Sequence, residues 1–72
     1  MYIVIIGAGS LGYYLAHLLL EENHECVVID KDSAKCDKIA NDLDIVAING
    51  DATDPKTLGK VDISEADAVV AL

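Results

Sequence analysis

What limits the fold of this chain most tightly is a glycine-rich turn set between an apolar run and a helix-period run. Tyr2-Ile3-Val4-Ile5-Ile6 leads directly into Gly7-Ala8-Gly9-Ser10-Leu11-Gly12, and a leucine-rich segment follows. The first run is apolar at every position, as expected of a strand buried on both faces of a parallel sheet. The next segment reads as a helix from Ser10 to about Glu22, with Leu11, Leu15, Leu18 and Leu19 on one stripe. Asn23 tolerates a left-handed backbone and is the expected stop.

The same alternation continues to residue 72. Cys26 to Ile29 reads as a second strand ending at Asp30. Asp32 caps a second helix that reaches about Asp42, with Cys36, Ile39, Ala40 and Leu43 facing inward. Ile45 to Ile48 is the third strand. Asp54-Pro55 has the form of an N-cap and first helical residue, opening a short helix that Gly59 ends. Asp67 to Leu72 starts a fourth strand. The order β-α-β-α-β-α-β predicts an α/β fold with a Rossmann-like, doubly wound parallel sheet. With no turn or polar tail after Leu72, residues 1–72 are expected to be the N-terminal half of a larger nucleotide-binding domain, cut after its fourth strand.

Composition narrows the function classes. Five lysines, no arginine and thirteen acidic residues give a formal charge of −8, which disfavours nucleic acid and an anionic membrane surface. The apolar runs fall far short of the ~20 residues of a membrane span, so no direct membrane insertion is expected. Cys26 and Cys36 have neither disulfide-scaffold nor zinc-knuckle spacing and read as packing thiols in a reducing compartment. His17 and His24 have no triad-like partner and read as surface histidines. No catalytic residue and no metal ligand is identified. Tyr13, His17 and Leu20 form an expected outward stripe.

The chemistry lies in the glycine turn. Gly7-Ala8-Gly9-Ser10-Leu11-Gly12 matches G-x-G-x-x-G, follows a strand and opens a helix. An acidic residue, Asp30, ends the next strand 18 positions beyond Gly12. Gly7 permits the tight turn, Gly9 lets backbone approach a pyrophosphate, and Gly12 allows close helix packing. The helix N-terminus then faces the phosphates, and Ser10 can add a hydroxyl donor. The Asp30 carboxylate can accept both hydroxyls of an adenosine ribose and would repel a 2′-phosphate, so NAD is expected over NADP. Lys31, folded back over the ribose, would soften that preference. Asp51-Ala52-Thr53 stands at the end of the third strand, where open α/β sheets bind ligands. It can read an adenine edge, although a turn and helix cap accounts for each of these residues equally well.

Three segments together resemble a known family. They are Tyr2 to Gly12, Asn23 to Asp32, and Gly50-Asp51-Ala52-Thr53-Asp54-Pro55. The chain looks like a TrkA-type N-terminal domain, also called KTN or RCK-N, found in cytosolic regulators of potassium transporters and channels. The resemblance implies a cytoplasmic, homo-oligomeric regulator that binds NAD(H), or in relatives ATP, ADP or AMP. It would act on a membrane potassium transporter or channel subunit without doing chemistry. Gly7, Gly9, Ser10 and Leu11 would surround the pyrophosphate, Asp30 the ribose, and Asp51, Ala52 and Thr53 the adenine. Many members carry Arg where this chain has Ser10, so the phosphates would lose a charge here. The alternative is the cofactor-binding half of an NAD-dependent dehydrogenase, which would need an acid/base group and a substrate domain.

Overall fold

The computed structural model describes residues 1–72. Its elements are β1 (Tyr2–Ile6), α1 (Ser10–Glu21), β2 (Glu25–Asp30), α2 (Ser33–Leu43), β3 (Val46–Asn49), α3 (Pro55–Leu58), a 3-10 turn (Ile63–Glu65) and β4 (Ala68–Ala71). The four strands form one sheet in the order β3-β2-β1-β4, and every pairing is parallel. The fold is therefore α/β and Rossmann-like. The chain steps outward from β1 to β3, then crosses back to place β4 on the other side of β1. That reversal puts the end of β1, and the glycine turn leaving it, at the switch point where such sheets bind ligands.

Strand alternation divides the core between two faces. Ile3, Ile5, Cys26 and Val28 pack with Ala16 of α1 and Ile39 of α2 on one face. Val4 and Ile29 pack with Val61 on the other. Val4, Ile5, Val28 and Ile29 are completely buried, because β1 and β2 are the two inner strands. Asp67 fastens β4 to its neighbour: the Tyr2 N–H donates to its carboxylate at 2.7 Å, and its own N–H donates to the Tyr2 carbonyl at 2.8 Å.

The inward face of α1 differs from the expected leucine stripe. Gly12 and Ala16 are its buried residues, while Leu11 is 63% and Leu18 39% exposed. Leu15 and Leu19 are half-buried beside them. A helix pressed against backbone presents its smallest side chains to the contact, and this rotates the leucines outward. For the same reason Tyr13 and Leu20 lie against the core rather than pointing away from it. Only His17 of that trio is exposed, 2.9 Å from Glu21 one turn on.

Helix boundaries fall within a residue or two of expectation. Asn23 has φ 64°, the left-handed stop anticipated for α1. α2 runs to Leu43, and Asp44 takes the same conformation at φ 55°. The 3-10 turn was not anticipated, since three residues carry no periodicity to read.

Candidate functional site

The glycine turn leaves β1 through Gly7, whose N–H donates to the Ile29 carbonyl at 2.8 Å. Gly7 has φ +124°, a backbone region that a side chain strongly disfavours. Gly12 is bound by contact instead: a Cβ there would stand 1.9 Å from the Gly7 carbonyl oxygen. Gly9 is different again. Its φ of −72° suits any residue, and a Cβ there would meet nothing within 4 Å. Packing explains Gly7 and Gly12, whereas at Gly9 the missing side chain leaves free space against bare backbone.

That space adjoins the start of α1, where Gly9 is the N-cap and no side chain accepts a bond from the first turn. The first N–H groups of a helix have no partner inside it. At α2 and α3 the caps Asp32 and Asp54 take up such groups, accepting from Ala34 and Lys35 and from Lys56 respectively. At α1 they remain available to an anion.

Asp30 closes the turn from β2. The Ala8 N–H donates to its Oδ2 at 2.7 Å and the Asp32 N–H to its Oδ1 at 2.8 Å. These two bonds, the Ala8 one foremost, hold the carboxyl below the usual aspartate range. Each oxygen has used one lone pair and can still accept a hydroxyl. Asn49 fixes the chain just beyond, donating through Nδ2 to the carbonyls of Asp30 (3.2 Å) and Lys31 (2.9 Å).

Lys31 does not fold over the Asp30 carboxylate. Its Nζ stands 3.6 Å from Asp51 Oδ2, so it pairs across the strand ends. The other Asp51 oxygen accepts from the Thr53 N–H (2.8 Å) and hydroxyl (2.7 Å), and these bonds lower its pKa. Gly7, Asp30, Lys31, Gly50, Asp51, Ala52 and Thr53 border one cleft of about 330 Å³ over the strand ends. Leu11 borders neither this cleft nor the next.

A second cleft, about 430 Å³, opens on the other side of the turn. Ala8, Gly9 and Ser10 meet Tyr13, Lys35 and Lys38 there. Apart from Leu11 and Gly12, which border neither, the predicted site residues divide between two adjoining clefts with the glycine turn between them. Lys35, Lys38, Tyr13 and Asn49 are absent from the sequence-based site. Two of the lysines occupy consecutive turns of α2 just after Asp30, and that spacing is the signal that could have found them. Cys36 is buried beneath, its thiol pushed up by burial and then by the Asp30 charge. Burial likewise raises Cys26. No three His, Cys, Asp or Glu side chains cluster closely enough to hold a metal ion.

The TrkA-N domain profile matches residues 3–72, nearly the whole chain. The chain belongs to the TrkA-N domain family. It is 42% identical over 71 residues to a Trk system potassium uptake protein TrkA homolog of Methanothermobacter thermautotrophicus, covering 99% of this chain and 33% of that protein. It is 42% identical over 72 residues to a TrkA homolog of Archaeoglobus fulgidus, covering 16% of that protein. It is 32% identical over 72 residues to the Trk system potassium uptake protein TrkA of Vibrio alginolyticus, again 16% of that protein. The chain therefore spans a third or less of these curated relatives. Its fold superposes on the crystal structure of the TrkA-N domain of the inner membrane protein ybaL from Escherichia coli. The TM-score is 0.87 at 20% identity, over 97% of this chain and 51% of that one. No helix of this TrkA-N domain is long and apolar enough to cross a membrane.

Proposed function

We infer that this TrkA-N domain binds an adenine nucleotide, NAD(H) foremost, across its glycine turn, and that occupancy regulates potassium uptake without chemistry. The observation that carries this reading is the uncapped start of α1, opening onto the free space at Gly9 with the Asp30 carboxylate alongside. In it, the N–H groups following Gly9 and the Ser10 hydroxyl take the phosphates. Asp30 takes the adenosine ribose through its spare lone pairs, and Asp51, Ala52 and Thr53 border the adenine. ATP, ADP and AMP share the phosphate and ribose contacts and are the other candidate ligands. Lys31 pairs with Asp51 instead of covering the Asp30 carboxylate, so the charge of Asp30 at the ribose favours NAD(H) over NADP(H).

The relatives are named Trk system potassium uptake proteins, and that name supports potassium uptake as the process; in our reading the domain belongs to a cytoplasmic, homo-oligomeric regulator acting on a membrane potassium transporter or channel subunit. A ligand shifts such a partner only by binding one conformation of the assembly more tightly than another. The test is a calorimetric panel of NAD, NADH, NADP, NADPH, ATP, ADP and AMP on the full-length protein. NAD or NADH should bind more tightly than the 2′-phosphorylated forms; equal affinities would remove the role of Asp30. Reduction of NAD by a small alcohol or hydroxy acid, dependent on this domain, would replace regulation by a dehydrogenase reading.

A further inference from the structure

A domain with a formal charge of −8 needs cations wherever an anionic ligand enters, and it has only five lysines. Four are engaged or remote. Lys31 pairs with Asp51 at 3.6 Å. Lys38 donates to Asp42 at 3.0 Å and lies over the Tyr13 ring at 5.5 Å, while the Tyr13 hydroxyl donates to the same carboxylate. Lys56 and Lys60 follow β3, outside both clefts. Lys35 remains: exposed, free of any carboxylate within 4.0 Å, and bordering the cleft formed by Ala8, Gly9 and Ser10.

We propose that Lys35 is the cation that a nucleotide phosphate meets in the cleft beside the glycine turn. The proposal rests on the nucleotide-binding reading above and adds the residue that supplies the charge. The Lys35 main-chain N–H donates to the Asp32 cap at 3.2 Å, while its side chain stays free. Its charge is also felt at the adjoining cleft: after the backbone bonds from Ala8 and Asp32, it helps keep the Asp30 carboxyl ionised. Ser10 brings no charge to the turn, so α2 provides it from the opposite wall. Two phosphates can reach this position: the pyrophosphate at Gly9 and Ser10, or a phosphate on the ribose 2′ oxygen beside Asp30.

The test is titration of NADH and NADPH into the full chain and its Lys35→Gln, Lys35→Arg and Lys60→Gln variants, at low and high salt. Lys35→Gln should weaken binding roughly three- to fivefold at low salt, as for an exposed charge pair, and less at high salt. Lys35→Arg should retain the affinity, and Lys60→Gln, which changes net charge equally, should leave it unmoved. An equal loss for both nucleotides identifies the pyrophosphate, and a loss for NADPH alone identifies the 2′-phosphate; either outcome upholds the proposal. Unchanged affinities in Lys35→Gln, or an equal loss in Lys35→Arg, overturn it while leaving nucleotide binding intact. If the unsubstituted protein binds neither nucleotide, the Lys35 proposal fails together with the NAD(H) reading on which it rests.

Discussion

α1 and α2 both begin just beyond the carboxyl ends of the two inner strands, β1 and β2, and treat their N-termini in opposite ways. Asp32 caps α2 from its own sequence, accepting from the N–H groups of Ala34 (2.9 Å) and Lys35 (3.2 Å). α1 has Gly9 in the cap position and no side-chain acceptor at all. A Ser, Thr, Asp or Asn cap stabilises a helix by about 1 kcal/mol relative to alanine, and Gly lies only a few tenths below the best caps. A glycine cap therefore costs little stability while leaving the donors uncovered. One helix start is closed by its own chain; the other is open to a ligand.

The glycine turn repeats that contrast within six residues, and substitutions there should separate the two roles most sharply. Gly12→Val is expected to have the largest effect. Its Cβ would fall 1.9 Å from the Gly7 carbonyl oxygen and 2.9 Å from the carbonyl carbon, both backbone atoms that cannot swing aside. Overpacking of this kind costs about 3 kcal/mol or more, comparable to the whole stability of a core this small. Chemical denaturation should show the variant largely unfolded. Gly9→Val should do the reverse: nucleotide binding lost, with the fold retained and stability lowered by no more than about 1 kcal/mol, the cost of an apolar residue at the cap. Tight NADH binding by Gly9→Val would show that phosphates do not approach there. A collapse of the fold would show that Gly9 is a packing residue like Gly12.

The elements legible in the sequence were those governed by short-range chemistry. β1 ends where Gly7 must turn, α2 begins at the Asp32 cap, and α3 begins at Asp54-Pro55, each within a few residues of its determinant. The face of α1 was not legible, because hydropathy weights large side chains while a close helix–strand contact selects Gly12 and Ala16. The cleft beyond the turn was hidden for another reason. Ala8 to Ser10 and Lys35 to Lys38 are separated by most of two elements and meet only because α1 and α2 pack on the same sheet face. Likewise the spacing of Asp30 and Lys31 pointed to a ribose, but only the pairing of β2 with β3 brings Lys31 to Asp51.

Asp30→Asn should have an intermediate effect, because Asp30 ties the turn and, in the proposed reading, also meets the ligand. Asn offers one acceptor where the carboxylate uses two, so either the Ala8 or the Asp32 N–H loses its partner. A hydrogen bond to a charged group is worth roughly 1.5–3 kcal/mol; for a partly exposed carboxylate, screening reduces this to about 1 kcal/mol. The folded state lowers the Asp30 pKa. Its contribution is therefore complete above the unfolded value of about 4 and is lost as pH falls through the folded value. Urea titrations of parent and variant should differ at neutral pH and converge below about pH 4. A constant difference across that range would mean that the Asp30 charge does not tie the turn.

Asp32→Ala should have the smallest effect on nucleotide binding and most directly probes the contrast between the two helix starts. The main-chain bond from Asp32 N–H to Asp30 survives the substitution, since it involves no Asp32 side-chain atom. Only the bonds to Ala34 and Lys35 are lost, which should lower stability by about 1 kcal/mol. Nucleotide affinity should stay within twofold, because a cap that serves only its own helix contributes nothing to the open end of α1. Denaturation and NADH titration on the same preparation check both halves of that expectation. If affinity fell many-fold alongside the modest loss of stability, α2 would have to position its lysines through the cap. The two helix starts would then belong to one binding unit instead of dividing frame from ligand.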